Sequence, residues 1–99
     1  MRVASKLVTG STGVITLDKE ISELKYIALA MALVNNPNPG TQYYAWALYS
    51  LDNGSYTLQG YASTWGSNML TITNVSGNAL TVRQSVSAST NMTIYVIYC

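Results

Sequence analysis

The sequence contains no histidine. That removes the commonest general base and the commonest metal ligand, and with them Ser-His and Cys-His nucleophilic pairs. It has one cysteine, Cys99, too few for an internal disulfide or a structural zinc site. Asp18, Glu20, Glu23 and Asp52 are the only side-chain carboxylates. Paired-carboxylate chemistry needs two of them held close together in a cleft. Here three share one polar connection and the fourth sits in a hairpin tip. No glycine-rich loop follows a strand and opens a helix. The expectation is a non-enzymatic chain with no catalytic residue, no cofactor and no metal.

Charge is also scarce, at 9% of residues, against about 25% in an average globular domain. The formal net charge is +1, and Arg2, Lys6, Lys19, Lys25 and Arg83 are scattered rather than massed. That leaves no electrostatic footprint for nucleic acid. The longest apolar run, Tyr26 to Val34, falls short of the roughly 20 residues of a membrane-spanning helix. Met1-Arg2-Val3-Ala4-Ser5 leads into no long apolar segment of the secretory type, so synthesis in the cytoplasm is expected. Disorder needs low hydrophobicity and high net charge, whereas 48% of the residues are hydrophobic. A surface this weakly charged has little to keep copies apart. It is easier to understand if much of it meets other protein.

What is present is a period of two. Met92, Ile94, Val96 and Tyr98 alternate with Thr93, Tyr95 and Ile97; Leu80 and Val82 alternate with Thr81 and Arg83; Leu70 and Ile72 alternate with Thr71 and Thr73. Each reads as a strand with one face inward. Asp52-Asn53-Gly54 and Val75-Ser76-Gly77-Asn78 are hairpin signals. Asn36-Pro37-Asn38-Pro39-Gly40, Ser63 to Ser67 and Ser87 to Thr90 read as loops. About eight strands follow, over 3–9, 13–17, 25–34, 43–51, 55–62, 68–74, 79–86 and 92–98. The predicted fold is all-β: one small antiparallel β-sandwich, jelly-roll-like, filling a single domain over 1–99. One segment is ambiguous. Residues 18–34 also read as a helix with Ile21, Leu24, Ala28 and Met31 in a stripe, since alanine favours helices over strands. The neighbouring strands need partners, so a strand from Lys25 is expected, with room for a short helical turn at Lys19–Glu23. The acidic stretch around it, Asp18 to Glu23, reads as an exposed connection.

The aromatic residues are eight tyrosines and two tryptophans, with no phenylalanine. Both types keep a polar handle and suit half-buried positions and interfaces. Tyr26, Tyr44, Trp46, Tyr95 and Tyr98 are expected at the edge of the core. Tyr43, Tyr49, Tyr61 and Trp65 are the candidate interface or ligand contacts. Trp65 lies in a Ser/Thr/Gly loop, where it stacks on a sugar, anchors an interface or folds back onto the core. In 43–51 both faces of the strand are apolar: Tyr44, Trp46 and Leu48 on one, Tyr43, Ala45, Ala47, Tyr49 and Leu51 on the other. A two-layer sandwich buries one face of each sheet. The other face calls for another subunit or for the Asn36–Gly40 loop as cover. Asn53-Gly54-Ser55, Asn74-Val75-Ser76 and Asn91-Met92-Thr93 match the glycosylation pattern, as chance allows in a Ser/Thr-rich chain.

Two stretches resemble a known class. Gly13-Val14-Ile15-Thr16-Leu17-Asp18-Lys19-Glu20-Ile21-Ser22-Glu23-Leu24-Lys25-Tyr26-Ile27 resembles the opening of small β-sandwich domains found in bacteriophage tail fibres and receptor-binding proteins. Leu70 to Asn74, through Met92 to Tyr98, resembles their closing hairpin and last strand. The resemblance implies a homotrimeric virion module for host attachment or capsid decoration. Its expected partners are copies of itself, a capsid or tail protein, and a host-surface glycan. The sequence shows no shaft or tail-docking pattern, which shifts the expectation toward a capsid decoration protein or a separate fibre tip. No site residue follows from the resemblance. The alternatives are a carbohydrate-binding module using its Trp and Tyr residues, and a subunit of an extracellular filament.

Overall fold

A computed structural model describes residues 1–33, 43–86 and 91–99. Among them lie eight strands: β1 (Arg2–Val8), β2 (Thr12–Thr16), β3 (Tyr26–Leu33), β4 (Ala45–Asp52), β5 (Ser55–Ser63), β6 (Leu70–Ser76), β7 (Ala79–Gln84) and β8 (Met92–Tyr98). They form two antiparallel sheets, ordered β1-β8-β3-β4-β5 and β2-β7-β6. This is the expected all-β sandwich, with its strands divided five and three. The strand reading of the ambiguous segment holds from Tyr26 onward, after a single 3₁₀ turn at Ile21–Glu23. The low strand preference of the alanines is overridden by pairing, of Ala28 and Ala30 to both β8 and β4 and of Ala32 to β8. The Asn36–Gly40 and Ser87–Thr90 loops lie outside the described residues.

The two tight turns behave as their residues require. Asn53 and Gly54 both take positive φ, 51° and 87°, the geometry that lets a two-residue hairpin follow the strand twist. At the other hairpin Gly77 has φ 60°, in the first central position, where glycine carries no steric penalty.

The core lies between the sheets. Ile27, Leu29, Val96, Ile94 and Met92 point inward from the larger sheet and meet Ile15, Leu80, Val82, Leu70 and Ile72 from the smaller one. The one fully buried polar side chain among the described residues is Gln84. Its Nε2 donates to the Gly10 carbonyl at 2.6 Å and its Oε1 accepts from the Val86 N–H at 2.9 Å. That satisfies the amide and ties the end of β7 to the β1–β2 turn. Gly13 packs so closely on Val8 that an added Cβ would sit 2.7 Å from Val8 Cγ2. Only a residue without a side chain lets β2 cross beneath the end of β1.

The acidic stretch is less exposed than expected. Glu20, Ser22 and Glu23 face solvent, but Ile21 and Leu24 are buried. Leu17 N–H and Ile21 N–H donate to the carbonyls of Asn78 and Gly77 at 2.8 and 3.0 Å. The connection therefore closes one end of the sandwich. The polar residues are needed for its outer side and the two aliphatics for its inner side.

Candidate interaction surface

Strand alternation decides what each sheet shows to the outside, and the two sheets differ. The smaller sheet presents Thr12, Val14 and Thr16 from β2, Ala79, Thr81 and Arg83 from β7, and Thr71, Asn74 and Ser76 from β6. This is the usual polar outer face of an antiparallel sheet. The larger sheet presents Val3, Ser5 and Leu7 from β1 and Thr93, Tyr95 and Ile97 from β8. Next come Tyr26, Ala28, Ala30 and Ala32 from β3, then Trp46, Leu48 and Ser50 from β4, and Thr57, Gly60 and Ala62 from β5. The one charged side chain that alternation adds to this face among the described residues is Asp52, opposite Ser55 at the hairpin end of β4 and β5. Val3, Leu7, Tyr26, Trp46 and Tyr95 are each at least 40% exposed.

The registers arrange these side chains in rows across the sheet. One row runs Ser5, Tyr95, Ala30, Trp46, Ala62; the next runs Val3, Ile97, Ala28, Leu48, Gly60. The alanines of β3 thus floor a trough between ridges on β8 and β4, which lie about 10 Å apart at two strand spacings. At one end of the trough a hollow of about 180 Å³ is lined by Ala28, Leu48, Ile97 and Tyr26, with Met1, Tyr98 and Cys99 at its rim. Beside it the Trp46 ring lies over Gly60, 3.9 Å from where a Cβ would be. Tyr26, Trp46 and Tyr95 are therefore outer-face residues and not core-edge ones as the sequence reading has them. Of that group Tyr98 alone is buried within the sandwich, and Tyr44 is exposed just before β4.

The four candidate contact residues do not form one site. Tyr49 is 4% exposed and belongs to the core, where its hydroxyl accepts from the Ile72 N–H at 3.3 Å. It is buried because it lies on the same side of β4 as Ala45, Ala47 and Leu51. Tyr61 is exposed on β5, opposite Ala47. Tyr43 and Trp65 meet: their rings stack at 5.4 Å with planes 11° apart. Trp65 is 40% exposed, so it folds back on Tyr43 while keeping part of its surface open. Its turn is tied by Gly66 N–H to the Ser63 carbonyl at 3.1 Å and by the Ser63 hydroxyl to the Ser67 carbonyl at 2.7 Å.

One charged cluster stands at the rim. The Tyr98 hydroxyl donates to Asp18 Oδ1 at 2.5 Å, and the Arg2 guanidinium pairs with Asp18 Oδ2. The hydrogen bond from Tyr98 is the main reason the Asp18 carboxyl is held below its ordinary pKa, with Arg2 adding to it and desolvation opposing. The same bond raises the Tyr98 phenol above its own. These residues join β1, β8 and the connection after β2. Spacing gives no hint of this contact, because Asp18 and Tyr98 are 80 residues apart. A hollow of about 460 Å³ lies between the hairpin tips and is lined by Glu20, Ser22, Asn53, Ser55 and Gly77. It holds one carboxylate. Among the described residues no group of three His, Cys, Asp or Glu side chains comes together, and no helix is long and apolar enough to cross a membrane.

No protein-family model matches the sequence, and no curated protein matches it. The fold does have a counterpart among solved structures. It is similar to part of the crystal structure of an Acinetobacter phage tailspike protein, with a TM-score of 0.54 and 11% sequence identity. The match covers 98% of this chain and 21% of the tailspike chain, so this chain spans about a fifth of the length of that protein. At that identity the likeness is one of fold.

Proposed function

We propose that this chain is a non-enzymatic structural module of a bacteriophage particle, which assembles with copies of itself through the outer face of its five-stranded sheet. The observation that carries this reading is the contrast between the two outer faces. One is threonine-rich and includes Arg83. The other has its one charge, Asp52, at the hairpin end and exposes Val3, Leu7, Tyr26, Trp46 and Tyr95 together. Monomers seldom expose an apolar patch beyond a few hundred Å². Five strands about 4.8 Å apart, each of about seven residues at about 3.3 Å, span on the order of 500 Å². Two such faces bury on the order of 1,000 Å², the lower bound for a specific interface.

The likeness of fold to part of a tailspike supports the virion setting. In that setting the chain is a homo-oligomer carried on a larger capsid or tail protein, as a decoration or a fibre tip, and serves host attachment. Sedimentation of the purified protein tests the assembly. A discrete oligomer at micromolar concentration is expected. A clean monomer with no affinity for a larger particle would overturn the reading.

A second reading rests on Trp65. An exposed indole held by stacking on Tyr43 in a tied turn offers a flat apolar surface of the kind that packs on a sugar ring. A glycan-binding screen with the wild type and Trp65→Ala decides it. Binding lost in the variant supports a carbohydrate-binding role alongside the assembly; no binding to any glycan removes it.

A further inference from the structure

Four strands lie at sheet edges: β1 and β5 in the larger sheet, β2 and β6 in the smaller. An edge strand offers unpaired backbone groups to any passing strand, and folded proteins usually blunt it with charge, brevity or a bulge. Three of these edges are blunted. On β1, Lys6 Nζ donates to the Val14 carbonyl of β2 at 2.8 Å, and Arg2 pairs with Asp18. β2 has five residues and lies under that lysine. β6 breaks register between Ile72 and Asn74. β5 differs. It has nine residues, Ser-Tyr-Thr-Leu-Gln-Gly-Tyr-Ala-Ser, with no charge and no proline, and six of them are exposed, Tyr56 and Leu58 by 37% and 39%.

The local geometry says which backbone groups face outward. The Asn53-Gly54 turn makes Asp52 and Ser55 the first pair of the β4–β5 hairpin. In a two-residue hairpin that pair is hydrogen-bonded, and pairs then alternate. Ser55 and Thr57 therefore direct their N–H and C=O toward β4, and Tyr56 and Leu58 direct theirs away from the sheet. The regular stretch ends at Gln59, where the register shifts and the side-chain amide turns to donate to Ser50 Oγ at 2.8 Å.

We propose that β5 pairs antiparallel with β5 of a second copy, about a two-fold axis through Thr57. In this register Tyr56 faces Leu58 of the second copy, and both have outward backbone groups, so each such pair exchanges two N–H···O bonds. The two Thr57 residues meet as a close non-hydrogen-bonded pair, Cα atoms about 4.5 Å apart, and a threonine pair across strands is favourable. Ser55 faces Gln59, and no charge opposes another. A second copy fits because the segment is its own complement in this register. Continuity favours it too: Thr57 belongs to the outer face of the five-stranded sheet, so pairing runs that face on into the second copy. The contact lies in the plane of the sheet, whereas face-to-face assembly runs perpendicular to it, so the two are independent.

A cross-link tests the register. In a Cys99→Ser background, Thr57→Cys is oxidised with glutathione disulfide beside Thr16→Cys, an exposed control on β2. Thr57→Cys is expected to give a disulfide-linked dimer at least about tenfold faster, because a Cα separation of about 4.5 Å lies in the disulfide range. Thr57→Lys, which sets two ammonium groups against each other on a surface strand, is expected to abolish trapping when a Ser55→Cys/Gln59→Cys variant is oxidised. Equal rates at Thr57 and Thr16, or trapping unchanged by Thr57→Lys, would overturn the proposal. Adding Trp46→Lys to the Thr57→Cys variant separates this contact from the face contact. A protein that still cross-links at position 57 but no longer forms larger oligomers retains the edge without the face. One that oligomerises without cross-linking retains the face without the edge, and that result also overturns the proposal.

Discussion

The outer faces of the two sheets are built from the same backbone geometry and end in opposite surfaces. On the three-stranded sheet, Thr12, Thr16, Thr71 and Thr81 alternate with buried Ile15, Ile72 and Leu80. That is a strand made to lie between core and water. On the five-stranded sheet, Leu48 alternates with Ala47 and Tyr49, Ile97 with Val96 and Tyr98, and Ala30 with Leu29 and Met31. Both sides of those strands are apolar, yet only one meets the other sheet. The lesson is that the same alternation that builds one core leaves two sheets with different outer surfaces, according to which residues fill the outward positions.

The contrast is sharpest within one strand. Leu29 is fully buried and Ala30 beside it faces out. Leu29→Ala is expected to lower stability by about 2–5 kcal/mol, through lost burial and the cavity left behind. Urea unfolding would show it as a lower midpoint, while Ala30→Ser stays within about 0.5 kcal/mol of wild type. An equal loss from both would mean that the two faces are buried alike.

Gly13→Ala is expected to cost about 1–3 kcal/mol by the same measurement, the range for overpacking a filled site. The new methyl would meet Val8, a buried β-branched residue with no room to turn. Gly60→Ala makes the companion variant. Its nearest neighbour is the Trp46 ring at 3.9 Å, ordinary contact, so little change in subunit stability is expected.

Trp46→Lys and Thr81→Lys put the same charge on the two outer faces. Both should leave subunit stability within about 0.5 kcal/mol. Trp46→Lys is expected to weaken self-association at least about tenfold, or about 1.4 kcal/mol, in sedimentation; Thr81→Lys should leave it unchanged. Equal behaviour of the two would remove the distinction between the faces.

The smallest effect concerns the rim. Asp18 has a depressed pKa in the fold, caused first by the Tyr98 hydrogen bond and then by Arg2. Its contribution is present above the ordinary carboxylate pKa and is lost as pH falls through the depressed one. The Tyr98 phenol is shifted up by the same contact, so its contribution is lost as pH rises through the raised value. Asp18→Asn is expected to flatten both limbs of stability against pH slightly, since the ion pair is half exposed and exposed pairs contribute little. An unchanged acid limb in the variant would show that the contact does not contribute.

Much of the fold is legible along the chain, and the surface less so. Each strand from β1 to β8 lies within two residues of where alternation puts it, and both hairpins fall at the expected turns. Tyr49 reads as a contact residue and is core. Tyr26, Trp46 and Tyr95 read as core-edge residues and face out. Trp65 stands out for its loop, but its stacking on Tyr43 crosses a whole hairpin. Aromatic type does not say which side of a strand is covered, and where both sides are apolar, hydropathy cannot say it either.

By itself the sequence determined the local matters. A period of two puts every second side chain on one face, and Asn-Gly takes the positive φ of a tight hairpin at small cost. These depend on neighbours along the chain alone. Tertiary structure decided which of two apolar faces turned inward, that β8 lies between β1 and β3, and that Asp18 meets Tyr98. Those outcomes depend on contacts between distant segments. The bulkier set of β3 and β8, Ile27, Leu29, Met31, Ile94 and Val96, fills the space against β2, β6 and β7, and the smaller alanines of β3 are left outside. Burial favours the face with more apolar volume, and that comparison exists only once the strands have come together.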